Sequence, residues 1–348
     1  MIQGTKFTFL SLFLFFNTYL AAVSDSYIQG DSFPKKLSEF NFFIDQTKQI
    51  PQENVYPYEL ITSLFSDYSY KKRFVYVPKG KKANYQKDWV FDFPVGSALI
   101  KTFYYPIDER NLELGSYLLE TRVLLHRSTG WEAVSYAWNE DQTEAFIKIA
   151  GKTINTSWID QSGKEVMVRY RVPNKNQCKE CHSANDAISP IGPKARNLNK
   201  ELEYKEGIKN QLKYLLTKEV ISSFPKNFRT VADWKNSENT LDERARAYLA
   251  INCGHCHTKS GVANSTGLYL DFIETKAKSL GIYKKPVATG RGSGNLKYSI
   301  VPGKPQDSIL LYRMISIDPG VMMPESGRSL MHTEAIQLIE DWIGSMEY

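Results

Sequence analysis

The sequence predicts an α+β protein: an antiparallel β-rich N-terminal domain followed by a mostly α-helical C-terminal one. Three features carry that expectation. Between Arg73 and about Arg171, short apolar runs are broken at regular intervals by turn residues, the pattern of strands rather than of long helices. Thr240-Leu241-Asp242-Glu243 is a capping box that opens a segment whose Leu241, Ala245, Tyr248 and Leu249 recur at helical spacing. Ala335, Ile336, Ile339, Trp342 and Ile343 give a second amphipathic helix at the end of the chain.

From the N-terminus, residues 1–24 read as a secretory signal, with Lys6 as the positive flank, Phe7 to Phe16 as the apolar core and Ala22-Val23-Ser24 as a small-residue cleavage site. A membrane anchor is the competing reading if Asn17 and Thr18 are tolerated in a longer span, but the apolar core is short for one. The mature chain then begins near Asp25, and no later segment is apolar over the roughly 18 residues a spanning helix needs. Residues 25–170 form the β-rich domain. A helix is expected near Pro57 to Lys71 from the spacing of Leu60, Ile61, Leu64 and Phe65. Strands are expected at Phe74 to Val77, Trp89 to Phe93, Tyr117 to Leu125 and Val166 to Val172. The aromatic residues of this domain, among them Trp131 and Trp138, read as core and sheet face.

Residues 171–235 form a first cofactor-binding region, with Lys200 to about Ser222 expected as a helix, and a boundary falls near 225–238. Residues 236–348 form the last domain, with a short helix from Asp307 to Met314 between its two longer ones. The formal charge of +6, from 44 Lys and Arg against 38 Asp and Glu, is spread along the chain, which excludes a nucleic-acid-binding arm but suits an acidic protein partner.

All four cysteines lie in two C-x-x-C pairs, each followed at once by histidine: Cys178-Lys179-Glu180-Cys181-His182 and Cys253-Gly254-His255-Cys256-His257. This is the pattern for covalent attachment of a c-type haem. Two thiols three positions apart reach the two vinyl groups on one porphyrin edge, and the following imidazole, His182 or His257, becomes the proximal iron ligand. A zinc ribbon brings its pairs within roughly 12–20 residues of each other, far closer than these, and leaves the histidines unexplained. A thioredoxin-like centre lacks its βαβ setting, and two local disulfides make both histidines coincidences. The expected cofactors are two covalently bound haems c. A helix leading into the second motif and a terminal helix packed across it are what a small monohaem cytochrome domain requires.

The chain resembles a family of bacterial exported diheme c-type cytochromes that pair a β-rich region with a C-terminal cytochrome c domain. The resemblance rests on Phe93-Pro94-Val95-Gly96, Glu120-Thr121-Arg122, Tyr136-Ala137-Trp138-Asn139, Pro190-Ile191-Gly192-Pro193-Lys194-Ala195-Arg196, Pro302-Gly303-Lys304-Pro305, Met323-Pro324 and Trp342-Ile343, and it covers most of residues 57–348. It implies haem binding, export to the periplasm and electron transfer between redox donor and acceptor proteins. In such domains a methionine just before proline is a common distal ligand, which points to Met323 for the second haem, with Met322 as its nearest substitute and His332 as a weaker candidate. The first haem has His126 and Met167 as candidates for its distal side, or none. His255 is expected to point away from the second iron. The loop Gly290-Arg291-Gly292-Ser293-Gly294 lacks the spacing of a phosphate cradle and is expected to let backbone approach a haem edge. Beside electron relay stand two other readings: a peroxidase-like diheme enzyme with an open first haem, and a binding module whose exposed aromatics near Trp131 and Trp138 dock a partner.

Overall fold

The computed structural model describes residues 22–347, so most of the expected leader, residues 1–21, lies outside the described residues. The fold is α+β, with helices and several antiparallel sheets. Among the described residues no helix is long and apolar enough to cross a membrane.

The largest sheet has six strands, Val55–Pro57, Tyr70–Tyr76, Ala98–Pro106, Ser116–Arg127, Gly130–Trp138 and Ala145–Ile147, paired antiparallel in chain order. Successive side chains of a strand point to opposite faces, so each strand serves two environments. On one face the cross-strand row Phe74, Ile100, Val123 and Val134 is covered by Ile28, Leu37, Phe40 and Phe42 from the N-terminal segment.

The other face is divided. At one end Val75 and Leu99 pack under Ala195, Leu198, Leu212 and Leu215. At the other end Phe103 and Tyr105 pack with Trp158, Val168 and Tyr170 of the hairpin Lys152–Ile159 and Glu165–Val172, where Trp158 stacks on Tyr105 at 4.3 Å. Between the two cores the sheet faces a cavity. Part of 171–235, from Ala195 to Ile221, therefore shares a core with the sheet.

The C-terminal helices Leu241–Asn252, Ile309–Ile315 and Thr333–Gly344 close on Ala245, Leu249, Leu311, Ala335, Ile339 and Ile343. The expected capping box is present: Thr240 Oγ1 accepts from the Glu243 amide at 3.2 Å, and Glu243 Oε2 accepts from the Thr240 amide at 3.0 Å. Trp342 of the last helix donates to Asp242 at 2.9 Å, locking the two long helices together.

Three expected elements differ. Residues 58–69 are not helical, because their amides are captured by side chains from distant elements: Thr62 N donates to Asn197 at 2.9 Å and Phe65 N to Asn252 at 2.7 Å. Asp67 and Tyr68, both at positive φ, finish the segment. Trp89 to Phe93 forms a loop, not a sheet strand, that buries Phe91 and Phe93 and leaves Trp89 exposed, with Phe91 N bonded to Pro193 O and Asp92 paired to Asn84. Residues 200–222 begin as a hairpin, Glu201–Tyr204 with Gly207–Asn210, before the short helix Gln211–Thr217. The turn uses Gly207 at φ +93°, and the apolar Ile208 that suggested a helix face is 69% exposed.

Candidate functional site

The helix Lys175–His182 carries the first motif and starts directly after the sheet hairpin. Asn174 and Gln177 cap it reciprocally, Asn174 Oδ1 accepting from Gln177 N at 2.9 Å and Gln177 Oε1 accepting from Asn174 N at 3.1 Å. Positions i and i+3 share a helix face, so Cys178 and Cys181 point together. His182 Nδ1 lies 2.9 Å from the Ser189 carbonyl. A carbonyl only accepts, so the proton sits on Nδ1 and Nε2 is left free as a metal ligand. Burial, followed by the nearby Lys101 ammonium, holds this imidazole down at about 3, so it is neutral at pH 7.

The second motif begins at Cys253, the C-cap of the helix Leu241–Asn252. Gly254 is required there: a Cβ would stand 2.7 Å from Ala250 O and 2.9 Å from Asp271 Cα. His257 Nδ1 is buried beside the Leu268 carbonyl without a well-formed hydrogen bond. The two motifs abut. Cys256 Sγ lies 3.6 Å from Glu180 O, Asn185 N donates to Ser260 O at 2.9 Å, and Ala184 pairs with Gly261.

All four thiols are free. Burial raises the Cys178 thiol and pushes Cys253 and Cys256 up to about 12, so these three stay protonated at pH 7. Among the described residues no three His, Cys, Asp or Glu side chains are placed to hold one metal ion. The residues of the first motif fit covalently attached haem: paired thiols on one helix face, a neutral imidazole fixed through Nδ1, and a cavity alongside.

Cys178, Cys181, His182, Cys253 and Met323 line one cavity, whereas Cys256 and His257 are not on its wall. Leu60, Leu64 and Phe65, from the segment expected as a helix, form part of its wall. Met323 faces the cavity while Met322 is buried in protein, 7% exposed. The methionine loop is held by Arg328, which donates to Ser316 O at 2.8 Å, Met323 O at 2.9 Å and Leu330 O at 3.2 Å, and by Met323 N bonded to Arg313 O at 2.9 Å.

The two expected candidates for the first haem's distal side lie elsewhere. His126 stacks on Trp131 at 4.6 Å with Nδ1 on Phe93 O, and Met167 is 78% exposed on the outer face of its hairpin. The imidazole on this cavity that sequence reasoning missed is His255. Its Nδ1 is 3.2 Å from Ile251 O, one helical turn back, which leaves Nε2 free. Its position inside the second motif hid it, because only the contact between the motifs turns it toward the first.

Two further expectations change. Gly292 approaches the Arg313 guanidinium and Gly294 the Tyr312 ring, and neither lines the cavity. Trp138 is 2% exposed and bonded to Thr121, and Trp131 is stacked on His126, so no aromatic docking patch stands there. No family model, curated protein or solved structure matches the chain.

His332, the weaker ligand candidate, is on the cavity wall, but its Nδ1 is 3.0 Å from Tyr248 OH, its Nε2 is 3.9 Å from Glu334, and its ring stacks on Phe65 at 4.0 Å. Burial holds it down at about 4, against an ordinary value of about 6.5. The unfolded chain therefore binds the extra proton between those values. Stability is intact above about pH 6.5 and is lost as pH falls toward 4. From pH 7 to pH 5 this residue is expected to remove about 1–2 kcal/mol. Urea unfolding of wild type and His332→Gln at both pH values checks it, and equal losses in the two proteins would refute the assignment.

Proposed function

We propose that this chain is an exported diheme c-type cytochrome that relays single electrons between a donor and an acceptor protein in the periplasm, as its resemblance to that family implies. The observation that carries the reading is the contact of two C-x-x-C-H motifs, with Cys256 Sγ 3.6 Å from Glu180 O, which brings two attachment points side by side. Cys178 and Cys181 attach one haem and Cys253 and Cys256 the other, with His182 and His257 as proximal ligands. Residues 236–348 act as the cytochrome c domain. The haems supply one-electron redox chemistry when bound.

The chain's own groups do the rest. Ser189 orients the His182 ring, Met323 would supply a thioether ligand to the second haem, and Arg328 holds the loop that presents it. His255, on the cavity wall with its Nδ1 on Ile251 O, would offer Nε2 to the first haem. A Met ligand raises a haem potential relative to a second His, so these assignments give the two centres unequal potentials and a direction for electron flow. The alternative is a peroxidase-like enzyme in which the first iron stays open on its distal side.

The test is haem stoichiometry. Full-length protein made in a host with c-type maturation machinery is expected to carry two haems per chain that survive acid–acetone extraction and denaturing electrophoresis. Extractable haem, or none, would remove the proposal.

A further inference from the structure

Across the middle of the sheet, Arg73 pairs with Lys101, Lys101 with Arg122, and Arg122 with Ser135, in one register row. Arg73, Lys101 and Arg122 all line the cavity, as does Lys71 in the next row. Directly opposed side chains in neighbouring strands stand about 4.5–5.5 Å apart at Cβ, and like charges there are destabilising. Three basic side chains in a row, turned toward a cavity with apolar walls and with Arg122 alone paired to a carboxylate, are relieved by an anion in the cavity or by loss of the Lys101 proton, whose ammonium burial brings down to about 7.

The protein supplies little. Glu120 is fully buried, but it is paired to Arg122 and accepts from Tyr170 OH. Asp67 is occupied by the amides of Ser329 and Leu330 at 2.7 and 2.8 Å. Arg73 has the Ser63 hydroxyl at 3.1 Å and Lys71 the Ser69 carbonyl at 2.7 Å, both neutral. The Lys101 ammonium makes no hydrogen bond or ion pair among the described residues and lies 5.0 Å from the Phe103 ring centroid.

We propose that the Arg73–Lys101–Arg122 row is an anion site for a carboxylate-bearing ligand whose apolar body lies against Leu99, Leu124 and Phe103. The carboxylate can come from the propionates of the haem proposed above or from a free small acid. The site itself stands on the register row and does not depend on the haem.

Melting curves of the full-length, haem-loaded protein in sodium succinate and in sodium chloride at equal ionic strength test this, with Lys101→Gln and the exposed control Lys209→Gln. If a free acid is the ligand, succinate raises the wild-type melting temperature by about 2–4 °C and Lys101→Gln abolishes the rise. If haem carboxylates fill the site, succinate does nothing. Lys101→Gln then lowers both the melting temperature and the reduction potential of one haem, while Lys209→Gln does neither.

The site is overturned if succinate has no effect and Lys101→Gln either behaves like Lys209→Gln or melts higher than wild type, which is repulsion that no anion neutralises. A preparation without haem removes the function proposed above yet leaves the succinate measurement intact. Arg73→Gln is read in the same way should Lys101→Gln not fold.

Discussion

In dithionite-reduced protein, Met323→Ala is expected to bind carbon monoxide at one haem where wild type does not. Of the two adjacent methionines only Met323 faces the cavity, while Met322 is buried in protein, so Met322→Ala should leave the spectrum unchanged. Loss of the thioether should also lower that haem's potential by a sizeable part of the roughly 0.8 V over which axial ligands act. A wild-type spectrum from Met323→Ala would remove the assignment. His255→Ala is expected to open the other haem in the same way. Wild type that already binds carbon monoxide there would leave the first iron open and favour the peroxidase-like alternative.

Arg328→Gln is expected to destabilise the protein by about 2 kcal/mol, since it strips a charged donor from part-buried carbonyls at Ser316, Met323 and Leu330. Arg328→Lys should recover little, because one ammonium cannot span the fork of contacts a planar guanidinium makes. Urea denaturation gives the stability. The near-infrared absorption of methionine-ligated ferric haem gives the loop's position, and it should weaken along with it. Full stability in Arg328→Gln would show that the loop is held by other groups.

Much of the fold was legible because it is local. A strand with one face in a core must alternate, so Tyr117 to Leu125 and Val166 to Val172 could be read directly, and they form the strands Ser116–Arg127 and Glu165–Val172. A cap needs only residues three apart, so Thr240 and Glu243 announced their helix. The segments 57–71 and 200–222 misled for the converse reason. Their apolar spacing is helical, but Asn197 and Asn252 claim the backbone of the first, and a glycine turn folds the second into a hairpin.

What the sequence by itself determined is the motif pattern, two pairs of thiols three positions apart, each with an imidazole next in line, together with the local caps and strand periods. What only the tertiary structure decided is which groups meet there. Arg73, Lys101 and Arg122 sit on three different strands, and strand register alone makes them neighbours. His255 reaches the first motif's cavity and Met323 displaces Met322 from its wall because of contacts between distant segments. Spacing within a helix or strand is set by covalent geometry and is written in the chain. Contact between elements is set by how their buried faces pack, and that is settled only when the whole chain has folded.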